Sequence, residues 1–226
     1  MDQTENQFNQ QLCAFLDASP TPFHGVSTMV SLLSEAGFTE LSDDQSWSLK
    51  QGGKYYVVRN GSSIVAFVNG SEAVSKSGVR IVGAHTDSPC PMLKPQPEIQ
   101  KGGFCQLGVE IYGGALLNPW FDRDLSIAGR VVYKDANQEL KQTLINFKHP
   151  VATIPSLAIH LDRNANKDRT INPQTDIPPI VKLNMGNQKS QNFRDILQQQ
   201  FLTDQDQVMD FELCLFDTQP AAMVGL

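Results

Sequence analysis

The stretch Val82-Gly83-Ala84-His85-Thr86-Asp87-Ser88-Pro89 decides how this chain is read. The largely apolar run at residues 79–84 predicts a buried strand that delivers a histidine and, two residues later, an aspartate to the point where it stops. In open α/β sheets, ligands and metals gather outside the carboxyl ends of the strands. A neutral imidazole followed at i+2 by a carboxylate is a workable metal device: His85 coordinates, and Asp87 accepts the other ring N–H and holds the ring. The plainer alternative is a hydrogen-bonded structural histidine.

The same device recurs near the other end. Residues 210–216 read as a strand that runs out into Asp217-Thr218-Gln219-Pro220, again a carboxylate followed by a proline. Asp217 is therefore the candidate to meet His85 at a shared sheet edge, although an aspartate after a strand is more commonly a turn former or helix N-cap.

Between these points the patterning changes. Phe8, Leu12, Phe15 and Leu16 define one helical face, and Val26, Met29, Val30 and Leu33 a second, with Gly37 placed as its C′ residue. Asn60-Gly61 between two β-branched and aromatic runs predicts a hairpin. After Pro89, the prolines 91, 95 and 97 suggest a stiff exit segment, followed by β-like runs at 106–112, 128–133, 142–147 and 158–161. Residues 162–179 read as a long loop, and Phe193, Ile196, Leu197 and Phe201 as the apolar side of an amphipathic helix. The expected organisation is α/β: a first catalytic piece at 1–91, an inserted β-rich unit at 92–208, and a return strand at 209–226.

Bulk properties narrow the classes. The chain has 226 residues, 40% hydrophobic and 19% charged, with a net charge of −6. It carries no basic footprint, so nucleic acid is a poor partner. No apolar run reaches bilayer-spanning length, and no signal peptide is visible at the N-terminus, so a cytoplasmic location is expected and no membrane partner. Cys13, Cys90, Cys105 and Cys214 show no CxxC spacing and read as free thiols in a reducing compartment. There is no HExxH, GxSxG, P-loop or GxGxxG after a strand. His160 alternates into a strand-like run, where a half-buried structural histidine is the bland reading. His24 and His149 read as loop histidines. Trp120-Phe121-Asp122-Arg123-Asp124-Leu125 suits either an internal ion-pair network or a binding surface.

Several segments, taken together and in order, resemble the amino-terminal half of the M18 metalloaminopeptidases, whose best-known members are the aspartyl aminopeptidases. They are Ser19-Pro20-Thr21-Pro22-Phe23-His24, Gly53-Lys54-Tyr55-Tyr56 with Arg59-Asn60-Gly61, and Ala84-His85-Thr86-Asp87-Ser88-Pro89. They continue with Tyr112-Gly113-Gly114, the Trp120–Leu125 segment with Gly129-Arg130-Val131, Ile154-Pro155 with Leu157-Ala158-Ile159-His160-Leu161, and Asp217-Thr218-Gln219-Pro220.

The resemblance implies a zinc-exopeptidase-type catalytic domain interrupted by a β-rich dimerisation domain. It also implies two zinc ions and peptide substrates with acidic N-terminal residues, cleaved by a homo-oligomer built from dimers. Carried over, His85 is similar to a zinc ligand and Asp87 to its supporting carboxylate. Asp217 is similar to the aspartate that bridges the metals, and His160 to a histidine lent to a neighbouring subunit's active site. In such sites two cations about 3.5–4 Å apart polarise the scissile carbonyl and activate water. The family's Glu-Glu pair, a further aspartate and a final histidine have no counterpart here, so the chain is expected to lack half of the site and to be inactive alone. The alternatives are a non-catalytic assembly protein retaining the dimerisation domain, and a split enzyme whose second half is separately encoded.

Overall fold

A computed structural model describes residues 3–184 and 192–225. The chain divides into two compact units, residues 1–87 with 221–226, and residues 88–220.

The first unit begins with helices α1 (Gln3–Asp17) and α2 (Pro22–Glu35). Pro22 takes the first position of α2, where its missing N–H costs nothing, and Thr21 caps the helix by accepting from the His24 N–H. Thr21 is buried, so its hydroxyl has no water to fall back on. Thr21→Ala is expected to cost about 1 kcal/mol in urea unfolding of this unit. Exit from α2 follows the Schellman pattern: Gly37 has φ 81°, its N–H reaches the Ser34 carbonyl, and the Phe38 N–H reaches that of Leu33. His24 lies in the first turn of α2 rather than in a loop, and burial lowers its pKa.

A small sheet follows in the order β1 (Thr39–Glu40), β2 (Lys54–Arg59), β3 (Ser63–Val68). The β2–β3 hairpin turns on Asn60 and Gly61, both with positive φ, the backbone state that makes Asn-Gly so strong a turn signal. Tyr55, Tyr56 and Val57 are buried, as is Val26 of α2. A four-residue helix, α3 (Val74–Ser77), interrupts the polar linker.

Here one expectation fails. Residues 79–84 form no strand: they pair with no backbone among the described residues, and Val79, Ile81 and Val82 are 64%, 84% and 100% exposed. Apolar character makes a strand only when a neighbouring strand accepts from its N–H groups and donates to its C=O groups, and neither edge of this sheet does so. The apolar face of α1 forms as expected, yet Phe8, Leu12 and Leu16 remain largely exposed on it.

The second unit is an antiparallel sheet in the order β7-β6-β9-β4-β5-β8, where β4 is Cys90–Lys101, β5 Phe104–Tyr112, β6 Leu125–Lys134, β7 Leu140–Asn146, β8 Ile180–Leu183 and β9 Gln207–Asp217. In place of a strand returning to the first unit at 209–226, β9 lies inside this sheet between β6 and β4. Its alternation explains why. Phe211, Leu213 and Leu215 are buried and register with Val131, Gly129 and Ile127 of β6. Helix α4 (Phe193–Phe201) seals this face with Leu197 fully buried and Phe193 edge-on to Phe211 at 5.7 Å. Its first amides are satisfied: Asn192 accepts from the Arg194 N–H and Glu98 from the Phe193 N–H.

The prolines after residue 89 sit within β4 rather than in an exit segment, and its register with β5 shifts between Leu93 and Glu98, where Pro95 and Pro97 interrupt the ladder. Residues 158–161 close a turn, with the Leu161 N–H donating to the Ala158 carbonyl at 2.8 Å, so the alternation there does not mark a strand. Leu157, Ile159 and Leu161 are all exposed, which removes the packing that a half-buried strand requires.

Candidate metal centre

His85 and Asp87 are brought together in the first unit. The His85 Nδ1 lies 2.7 Å from the Asp87 backbone carbonyl and 3.6 Å from its Oδ1. A carbonyl oxygen only accepts, so Nδ1 carries the proton in the neutral ring and the Nε2 lone pair is left for a ligand. The ring is thus oriented through the backbone of Asp87 where sequence reasoning named its carboxylate. The intervening Thr86 donates its hydroxyl to the Ser62 carbonyl at 2.6 Å, which ties the segment to the β2–β3 turn. The His85 side chain is 79% exposed.

Asp217 ends β9 in the second unit, opposite Leu125. Its Oδ1 accepts from the Gln219 N–H at 2.9 Å, an Asx turn, and its Oδ2 accepts from Arg123 at 2.8 Å. Arg123 also reaches the Gln219 side chain at 3.3 Å. The Asp124 carbonyl accepts from both the Thr218 N–H and its hydroxyl. Residue 122 supplies the bend, with φ 58°, and hydrogen bonds from Ser156 hold the Asp122 carboxyl below the ordinary carboxylate range. The acid–base–acid triplet is therefore a clamp on the end of β9. Its partner residues are 94 apart, and the only sequence signal was the triplet itself.

His160 occupies the exposed turn at 158–161 in the second unit, not a strand. Imidazole nitrogen and carboxylate oxygen are the donor types that zinc takes. Among the described residues, however, no group of three or more His, Cys, Asp or Glu gathers that could hold a metal ion. The donors fit zinc in kind; His85 and Asp217 stand in different units. No helix of the described residues is long and apolar enough to cross a membrane.

Solved structures of the same fold are aminopeptidases. The mApe1 of Chaetomium thermophilum superimposes with a TM-score of 0.85 at 36% identity, covering 97% of this chain and 53% of that one. The yeast mApe1 dodecamer does so with a TM-score of 0.78 at 27% identity, covering 99% and 51%. Residues 15–226 match the family model described as aminopeptidase I zinc metalloprotease (M18), and the chain belongs to that family. The probable M18 family aminopeptidase 2 of Pseudomonas syringae pv. tomato is 51% identical over 225 residues, which is 98% of this chain and 52% of the relative. Its counterpart in Stutzerimonas stutzeri is 50% identical over the same shares. The chain thus spans about half the length of the curated relatives it matches.

Proposed function

We propose that this chain is one half of a metal-dependent aminopeptidase that releases N-terminal residues, acidic ones preferred, from peptides. The observation that carries the reading is the match of residues 15–226 to a family of zinc metalloproteases. His85 would hold zinc through Nε2, with its ring set by the Asp87 carbonyl, and Asp217 would bridge to a second zinc ion. When bound, zinc supplies Lewis-acid polarisation of the scissile carbonyl and acidifies water at neutral pH. The residues of this chain contribute orientation. Asp87 fixes the His85 tautomer, and Arg123 with the Gln219 amide fixes the rotamer of Asp217. The second unit would serve as the dimerisation domain of a homo-oligomer, and His160, which lies on an exposed turn, would be lent to a neighbouring subunit's site.

The chain alone is expected to release no amino acid from aspartyl or glutamyl anilides. Activity should appear once it is co-expressed with the remainder of the Pseudomonas syringae relative and the pair is shown by light scattering to assemble. Chelator-sensitive release by the isolated chain would overturn the requirement for a second half, and an assembled pair without release would overturn the aminopeptidase reading. A second reading, a non-catalytic assembly protein, draws on the absence of a gathered metal cluster among the described residues. It requires self-association, so a strict monomer that also ignores a full-length relative would exclude it.

A further inference from the structure

Two of the four cysteines meet across strands that are distant in sequence. Met92 of β4 lies directly opposite Cys214 of β9. Cys90 is two residues from Met92 on the same strand and so projects from the same sheet face, which makes Cys90 and Cys214 diagonal cross-strand neighbours. The two thiols are near enough for each to perturb the titration of the other. They are not equivalent: Cys214 is buried, while Cys90, at the start of β4, is half-buried and open to small reagents.

We infer that Cys90 and Cys214 form an oxidisable dithiol that a hydroperoxide converts into a reversible cross-strand disulfide. The asymmetry of the pair assigns the roles. Hydrogen bonding from Cys214 favours the Cys90 thiolate and lowers its pKa. The bond to Cys90, burial and the charge of Glu212 keep Cys214 protonated. A thiolate-leaning, accessible cysteine beside a protonated partner is the arrangement of an attacking and a resolving thiol.

The Cys90 thiolate attacks the terminal oxygen of the hydroperoxide, and the O–O bond breaks. The alkoxide leaves as the alcohol after taking a proton, and Cys90 becomes a sulfenic acid. The Cys214 sulfur then attacks the Cys90 sulfur. The S–O bond breaks, the hydroxyl departs as water with the Cys214 proton, and the disulfide forms. Two thiols have lost two electrons and the peroxide has gained them. Diagonal pairs, about 7–8 Å apart, lie just beyond the separations that an unstrained disulfide spans, so closure draws β4 and β9 together and the product belongs with reducible bonds rather than structural ones. It would fasten β4 to β9 three residues beyond Asp87 and three before Asp217.

The test reads thiol state, so it stands or falls separately from the aminopeptidase reading. The purified chain is exposed to substoichiometric hydrogen peroxide and mapped by mass spectrometry. A Cys90–Cys214 link is expected, reversed by dithiothreitol and formed on the order of tenfold faster than modification of Cys13 or Cys105. Cys214→Ser should leave a sulfenic acid on Cys90 that dimedone captures. Cys90→Ser, at the half-buried position, should abolish both the link and the fast phase without placing a hydroxyl in the core. Equal oxidation of all four cysteines, or reaction at Cys13 and Cys105 with the pair still reduced, overturns the inference.

Discussion

Gly129→Ala unfolds the second unit more readily than any other single-methyl change in its sheet is expected to. Gly129 sits in the middle of β6, opposite Leu213, with φ 153°. A Cβ added there would lie 2.0 Å from the Glu212 carbonyl oxygen and 3.0 Å from the Leu213 Cα, both backbone atoms. Neither can swing aside as a side-chain tip could, so β9 must back away from β6 along the pairing that organises the core. Overpacking and backbone strain together set the loss at about 3–5 kcal/mol. Urea titration followed by Trp120 fluorescence, in a Trp47→Phe background that silences the other tryptophan, measures it. Gly114→Ala, where an added Cβ meets nothing within 4 Å, provides the control, expected within about 0.5 kcal/mol of the parent. Superimposable curves for the Gly129 variant would mean that β6 and β9 are not held in this register.

The largest functional effect is expected at His85 and Asp217. In the assembly of this chain with the remaining half of a relative, His85→Ala and Asp217→Asn should each lower kcat/KM on the order of a thousandfold, the loss of several kcal/mol of charge stabilisation. Bound zinc, counted by elemental analysis, should fall in parallel. Asp87→Ala should be milder, about tenfold. The nearest contact to the His85 Nδ1 is the Asp87 backbone carbonyl at 2.7 Å, which survives that substitution, whereas the carboxylate stands at 3.6 Å. Equal losses at 85 and 87 would place the ring's support in the carboxylate instead. Full zinc content in both His85→Ala and Asp217→Asn would remove these residues from the ligand set.

Features written in local chemistry were legible in the sequence. The Asn60-Gly61 turn, the Gly37 exit from α2, the amphipathic face of α4 and the strand at 210–216 each depend on a few neighbouring residues, and each formed where expected. Features that depend on a distant partner were not legible. The run at 79–84 has the composition of a strand, yet a ladder needs a second backbone, and none of the described residues supplies one. The prolines of β4 argued against a strand, but the register shift that tolerates them depends on how β5 is laid against it. At the candidate site, His85 and Asp217 both read as strand ends in the sequence, and only Asp217 ends a strand. Their orienting partners, the Asp87 carbonyl and the Arg123 guanidinium, came only with the fold.

The uncovered run at Val79, Ile81 and Val82 has a consequence for the life of the chain inside a cell. Bare aliphatic side chains beside unclaimed backbone amides are what holdases capture and proteases cut, and they also seed intermolecular β-pairing. While that run stays bare, the newly made molecule is open to quality control, and its abundance falls accordingly.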